Sequence, residues 1–96
     1  MTWIKIVPPE QADEGLRRIY EQVLALYPPE YEEPVPAVTR PDGTSDEVTV
    51  AHSLIPEAMH HMMAGFAVLM RPDLPLTRRQ QEMIATTVAA LNRCFY

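Results

Sequence analysis

Proline placement is the feature that most restricts what this chain can fold into. Ten of the 96 residues are proline, and most of them fall in pairs or clusters. Because proline lacks a backbone N–H and disfavours helix in the residue before it, long helices are confined to the stretches between these clusters. Three such stretches are rich in apolar residues, 10–27, 56–70 and 76–96, and strand patterns are weak throughout. The chain is therefore predicted to be one all-α domain, residues 1–96.

The first helix is predicted to begin at Glu10, after an extended arm of residues 1–9 that ends in Pro8-Pro9. Acidic residues in its first turn suit the positive end of the helix dipole, and Pro28-Pro29 ends it. Its apolar residues recur at steps of three and four, which places them on one face of the helix. These residues are Ala12, Leu16, Ile19, Tyr20, Val23, Leu24 and Tyr27.

The next stretch, residues 28–43, holds five of the ten prolines and has little periodicity. We expect a proline-rich surface loop there, partly extended. Ser45 or Asp46 is suited to cap a short helix that runs to about Leu54.

Pro56 then suits the first position of another helix, and Glu57 lies in its first turn. This helix, residues 56–70, is apolar around most of its circumference and carries four of the six methionines. A helix that is apolar nearly all round is typically buried by neighbours on several sides. We therefore predict that neighbouring elements bury it on several sides.

The last helix is predicted to run from Arg78 to about Leu91. Thr77 is a good N-cap, and Gln80 completes a capping box. Asn92 is expected to end the helix because asparagine tolerates the left-handed conformation. The residues predicted to face inward are Met83, Ile84, Thr87, Val88 and Leu91.

Charge and hydropathy exclude several classes of partner. The net charge is −5, and the only basic clusters are two arginine pairs, so nucleic acid is a poor partner. The start of the chain lacks the pattern of a signal peptide, and no apolar run approaches the roughly 18–20 residues that span a bilayer. We expect a soluble, cytoplasmic protein without a membrane partner. The amount of apolar surface for so few helices predicts a homo-oligomer, or a missing remainder of the domain.

The end of the chain resembles the core of the carboxymuconolactone decarboxylase and alkylhydroperoxidase D-like superfamily. In that family a capped helix of the form L-(S/T)-x-x-x-x-E-x-(I/V) precedes N-x-C-x-Y-C-x-x-x-H. Residues 76–84 reproduce the first pattern, and residues 92–96, Asn-Arg-Cys-Phe-Tyr, reproduce the start of the second. Trp3-Ile4 in the arm is similar to the peroxidase-related branch. The resemblance implies a helical bundle of the alkylhydroperoxidase D-like type, of which this chain is the N-terminal portion.

The resemblance implies roles for two residues. Cys94 matches the first cysteine of the family's Cys-x-x-Cys pair, which resolves the sulfenic acid formed on the second cysteine. Glu82, twelve residues earlier, matches the glutamate that relays protons. The expected partners are a hydroperoxide substrate and a thiol reductant, and no metal or organic cofactor is required. With only the first cysteine present, the 96-residue chain itself is expected to be inactive.

Simpler interpretations stand beside these. A lone cysteine near a helix end is commonly a small buried apolar residue, and Glu82 alone would be a solvated helix residue. Twelve residues of helix also separate Glu82 from Cys94 by about 18 Å, so a following helix must fold back for them to meet.

Glu57 and His60 have the spacing of a di-iron ligand pair, but such a site needs two copies of this pair. Two other functions remain open: a non-catalytic helical oligomerisation module, and the decarboxylase branch of the superfamily.

Overall fold

The computed structural model describes residues 3–33, 35–36 and 48–94. Within these ranges the protein is all-α, as predicted, with no strand. Four α-helices follow one another: α1 (Glu14–Leu24), α2 (Val48–Ala51), α3 (Pro56–Leu69) and α4 (Arg78–Leu91). Two short 3-10 helices, Pro9–Gln11 and Pro29–Glu32, begin at the proline pairs.

Helix α1 begins later than predicted. Residue Ala12 is extended, and a separate 3-10 helix occupies Pro9–Gln11. The Asp13 carboxylate accepts a hydrogen bond from the backbone N–H of Leu16 at 2.8 Å, so Asp13 is the N-cap of α1. An aspartate that caps satisfies one of the free N–H groups at the helix start, which explains why the helix begins there.

The core lies between α1 and α3. Apolar residues of α1 and the segment before it pack against Met59, which is fully buried. The predicted apolar face of α1 is thus confirmed for its central positions. The buried cluster consists of Ala12, Leu16, Tyr20, Val23 and Met59, with Val7, Ile19, Val50 and Met63 packed against it.

The N-terminal arm is held to this core through the backbone of Val7. Its N–H donates to Ser53 Oγ at 2.8 Å, and its carbonyl accepts from the Tyr20 hydroxyl at 2.7 Å. Both polar groups of one backbone residue are therefore satisfied by side chains, one from α1 and one from the turn after α2. Before this point Trp3, Ile4 and Lys5 are exposed, and Trp3 almost completely so.

Helix α2 and the start of α3 follow the predicted order. The short helix is α2, which ends at Ala51, and the hydrogen-bonded turns after it reach Ile55. The predicted caps, Ser45 and Asp46, lie outside the described residues. Pro56 begins α3, as predicted from its preference for the first helical position.

The predicted burial of α3 on several sides was wrong. Met59 is the buried residue within the helix, and Met70, just after it, is also buried. Met62, Val68 and Leu69 are at least half exposed. An apolar circumference shows that a helix can accept neighbours on many sides, but within the described residues α1 is its principal packing partner.

The predicted inner face of α4 was also wrong. Its bounds agree with the prediction, but Met83, Ile84, Thr87, Val88 and Leu91 are all exposed. The buried residue of α4 is Gln81. The helix is attached to the rest of the domain through its polar side, which the periodicity of apolar residues does not reveal.

Candidate functional site

The start of α4 carries the capping box predicted from the sequence. Thr77 Oγ1 accepts from the backbone N–H of Gln80 at 3.3 Å, and the Gln80 side chain accepts from the Thr77 N–H at 2.9 Å. Two donors at the helix start are satisfied reciprocally, which defines where α4 begins.

Gln81 attaches this end of α4 to the end of α3. Its Nε2 donates to the carbonyl of Leu69 at 3.1 Å and to the carbonyl of Arg71 at 3.2 Å. Carbonyls at the end of a helix have no partner within the helix, so a side-chain amide from a neighbouring helix satisfies them well. This contact places the next residue, Glu82, against the 3-10 helix Pro29–Glu32.

Glu82 belongs to a polar cluster of four residues, Glu30, Tyr31, Arg78 and Glu82, which we call the Glu82 cluster. The Tyr31 hydroxyl donates to Glu82 Oε1 at 3.2 Å. Arg78 lies between the two carboxylates, with Nη1 at 3.8 Å from Glu82 Oε1 and Nη2 at 3.7 Å from Glu30 Oε2. Glu82 is therefore partly enclosed by a donor and a cation, unlike a freely solvated helix residue.

The ring of Tyr31 lies close to two aromatic neighbours. Its centroid is 6.3 Å from that of Tyr27 and 6.4 Å from that of Phe66 on α3. Burial raises the pKa of the Tyr31 hydroxyl above its usual value near 10, and the charge of Glu82 and the hydrogen bond to it raise it further. Tyr31 therefore remains a hydrogen-bond donor to Glu82 across the physiological pH range.

Cys94 lies just beyond the other end of α4, and it is exposed. Its backbone N–H donates to the Ala89 carbonyl at 2.8 Å, and that of Arg93 donates to Ala90 at 3.1 Å. This pair of bonds is a Schellman motif, in which the residue before the last donor adopts the left-handed conformation. That residue is Arg93, with φ 53°. Asn92 is the C-cap of α4, as predicted, but it remains right-handed with φ −77°.

The structure does not bring Glu82 and Cys94 together. Glu82 lies in the second turn of α4, and Cys94 follows its C-terminus. The intervening residues rise by about 15–18 Å along the axis at 1.5 Å per residue. A helix that folds back beside α4, which the proposed pairing of Glu82 with the thiols requires, would lie outside the described residues.

The surface next to Glu82 is an open groove of about 390 Å³, lined by Arg79, Glu82, Met83, Thr86 and Thr87. A second groove, of about 370 Å³, lies on α1 beside Tyr20 and Thr49. Both are open to solvent, and Cys94 lines neither.

The Glu57 and His60 spacing does not produce a pair in the structure. Glu57 Oε1 lies 3.9 Å from His61 Nε2, and both side chains are largely exposed. Elsewhere His52 Nδ1 lies 2.8 Å from the Val48 carbonyl. In the described parts of the chain, no group of three or more His, Cys, Asp or Glu side chains could hold a metal ion.

No protein-family model, curated protein or solved structure matches this chain. The resemblance to the alkylhydroperoxidase D-like superfamily therefore depends on the residues of its motif alone. None of the helices in the described ranges is both long enough and apolar enough to cross a bilayer.

The partners of Glu82 were missed by the sequence reasoning. Tyr31 is 51 residues away from Glu82, in a stretch predicted only as a loop. The sequence near Tyr31 offers one indication, the pair Pro28-Pro29. A proline is favoured at the first position of a helix, so this pair indicates a short helical turn that contains Tyr31. Arg78 lies four residues before Glu82, a spacing at which oppositely charged side chains on a helix meet.

Proposed function

We propose that this chain is part of a thiol-dependent peroxidase of the alkylhydroperoxidase D-like type. In this proposal Cys94 resolves an oxidised cysteine, and Glu82 transfers protons. The observation that carries it is the exposure of Cys94 directly after a capped helix, within Asn92-Arg-Cys94. A resolving thiol must be reached by a second sulfur, and a buried structural cysteine would not allow this.

The reaction needs a second cysteine, which the motif places three residues after Cys94. Its thiolate attacks the terminal oxygen of the hydroperoxide, the O–O bond breaks, and the alcohol leaves after taking up a proton. The Cys94 thiol then attacks the sulfenic sulfur, which forms a disulfide and releases water. A thiol reductant supplies two electrons and two protons to restore both thiols, so the hydroperoxide is the oxidant and the external thiol is the final reductant.

Glu82 is the proposed proton donor and acceptor in this cycle. The Glu82 cluster supports the assignment because the Tyr31 hydroxyl donates to Glu82 Oε1, and the Arg78 guanidinium lies 3.8 Å from the same oxygen. A positioned carboxylate contributes to catalysis more than a mobile one, since a general acid must lie within hydrogen-bond reach of its target. The proposal requires the second cysteine to lie on a helix that packs antiparallel beside α4.

The test is a peroxidase assay with a dithiol reductant, on protein that carries the second cysteine. The Cys94→Ser variant is expected to consume about one equivalent of peroxide and then stop, while Glu82→Gln slows every turnover. Arg18→Gln, at an exposed position of α1 outside the cluster, is the control and is expected to retain the activity. Unchanged multi-turnover activity of Cys94→Ser with the same reductant contradicts the resolving role.

A second candidate, a non-catalytic helical oligomerisation module, is favoured by the exposed apolar side of α4. The two functions differ in the reactivity of Cys94. The resolving thiol is expected to form a mixed disulfide rapidly when a small sulfenic acid or an activated disulfide is added. A structural cysteine reacts no faster in the folded chain than in a short peptide of the same sequence.

A further inference from the structure

The Glu82 cluster holds two carboxylates around a single guanidinium. Arg78 Nη1 lies 3.8 Å from Glu82 Oε1, and Arg78 Nη2 lies 3.7 Å from Glu30 Oε2. Both distances exceed that of a hydrogen bond, so Arg78 acts on the two carboxylates through its charge. The Nη1 atom is also buried and has no hydrogen-bond partner among the described residues. Arg78 is therefore shared between Glu30 and Glu82 and is fixed to neither.

The charges of this cluster balance when one proton is added. With both carboxylates ionised, the cluster contains two negative charges and one positive charge. A proton on Glu82 leaves Arg78 paired with Glu30, and the cluster is then neutral. Tyr31 stays uncharged in both states, because burial and the charge of Glu82 hold its pKa above its usual value near 10. Glu82 can therefore take up a proton without leaving the guanidinium unpaired.

We propose that Glu30 keeps Arg78 from holding Glu82 permanently ionised, and so allows Glu82 both to take up and to release a proton. This inference rests on the proposed peroxidase function, in which Glu82 transfers protons. Glu30 acts through Arg78 and touches no reacting atom, so it is a positioning residue.

The two neighbours act on Glu82 in opposite directions. Without Glu30, the charge of Arg78 would act on Glu82 alone and favour its ionised form. Without Arg78, Glu82 would face the like charge of Glu30, which favours the protonated form. The carboxylate and the guanidinium therefore offset each other in the wild type.

The charged and titratable side chains around Glu82 come from two elements. The 3-10 helix contributes Glu30 and Tyr31, and α4 contributes Arg78. Arg79 also lines the groove beside Glu82, but it is exposed, so solvent and salt screen its charge. Helix α3 lies near this site through an uncharged aromatic ring. Removal of Glu30 or of Arg78 is therefore expected to move the titration of Glu82 most.

A carboxyl NMR titration of the 96-residue chain tests this balance. Glu30→Gln is expected to move the midpoint of Glu82 to lower pH and Arg78→Gln to higher pH, each by about 0.3 pH unit or more. Arg78→Lys keeps the charge and should stay close to the wild type. The matched controls, Glu14→Gln and Arg18→Gln, make the same charge changes in an exposed ion pair of α1 and should move the midpoint less. Movement in the same direction by both cluster variants, or by neither, overturns the proposal.

The pH dependence of peroxidase activity separates this inference from the proposed function. It is measured on protein that carries the second cysteine, and the limb that Glu82→Gln lacks is assigned to Glu82. This limb is expected to move to lower pH in Glu30→Gln and to higher pH in Arg78→Gln. If the NMR midpoint moves and the limb does not, the proton-transfer role of Glu82 is overturned. If Glu82→Gln slows turnover but neither cluster variant moves the midpoint or the limb, the peroxidase function stands and the role of Glu30 is overturned.

Discussion

Tyr31 connects three parts of the fold with one side chain. It lies on a 3-10 helix, its ring lies near Phe66 of α3, and its hydroxyl donates to Glu82 of α4. The hydrogen bond is to the residue proposed to transfer protons, so a change in the ionisation of Tyr31 acts directly on that carboxylate. When Tyr31 loses its proton, the hydrogen bond is lost and two negative charges face each other.

Tyr31 is expected to ionise at higher pH than an exposed tyrosine. Burial raises its pKa above 10, and Glu82 raises it further, so the folded state holds this proton more tightly than the unfolded state. The resulting stability is fully present below pH 10 and is lost as the pH rises through the folded-state pKa. Tyrosinate absorbance during an alkaline titration, compared with that of Tyr31→Phe, measures it.

The matched variant is Glu82→Gln, which removes the charge and keeps a hydrogen-bond acceptor. It is expected to lower the pKa of Tyr31 relative to the wild type. The pKa should still lie above that of an exposed tyrosine, because the burial of Tyr31 remains. An identical titration of Tyr31 in wild type and Glu82→Gln would show that the two side chains do not interact in solution.

At the residue scale, local spacing was predictable from the sequence and long-range partners were not. Thr77 and Gln80 were identified as a capping box because both halves of that motif lie within one turn. The contact between Tyr31 and Glu82 spans 51 residues and depends on how the helices pack. Residue preference favours Asn92 for the left-handed conformation, but the next residue in the chain, Arg93, adopts it.

Helix α4 is attached by hydrogen bonds and ion pairs at its first two turns, and nearly all of its remaining residues are exposed. Gln81 donates to both Leu69 and Arg71, and Arg78 lies between two carboxylates. An element attached at one end by polar contacts opens locally at lower free energy than one with a buried apolar face. The attachment of α4 therefore depends strongly on Gln81.

Gln81→Ala is expected to release α4 while α1 and α3 stay folded. The change removes the donor to two helix-end carbonyls, which costs about 1–2 kcal/mol. Amide hydrogen exchange in α4 should accelerate by roughly 5- to 30-fold, with little change in α1. Thr86→Ala, at an exposed position of α4, is the control. Equal acceleration in α1 and α4 would mean that the two helices unfold as one unit.

At the element scale, helix bounds were more predictable than helix burial. Proline and capping residues mark a helix end through contacts within a few residues, so α3 and α4 begin where expected. Asp13 moved the start of α1 because its capping bond outweighs the preference of Glu10 for a first turn. Whether the apolar side of α4 is buried depends on a partner surface, which the periodicity of one segment cannot reveal.

At the scale of the whole molecule, the core formed by the described residues is small. It centres on Met59, which has no exposed surface and packs against residues of α1. A domain of this size is typically stable by about 5–14 kcal/mol, so the loss of one buried side chain is a large fraction of the total. The all-α class was predictable because it depends only on the local helical pattern.

Met59→Ala is expected to destabilise the protein by about 2–5 kcal/mol, since it leaves a cavity between α1 and α3. Met62→Ala, three residues further along α3 at an exposed position, is the matched control and should change stability by less than about 0.5 kcal/mol. Urea unfolding followed by circular dichroism measures both variants. Similar losses for the two would place the core elsewhere on α3.

The attachment of Val7 has a consequence for the time course of synthesis. Its N–H bonds to Ser53, which is added 46 residues later. At about 5–20 residues per second, ribosomal synthesis leaves this donor without its partner for roughly 2–9 seconds. The Tyr20 hydroxyl is made much earlier, so the carbonyl of Val7 can acquire its donor first. The start of the chain is thus fastened in two stages, and the second stage waits for the turn that follows α2.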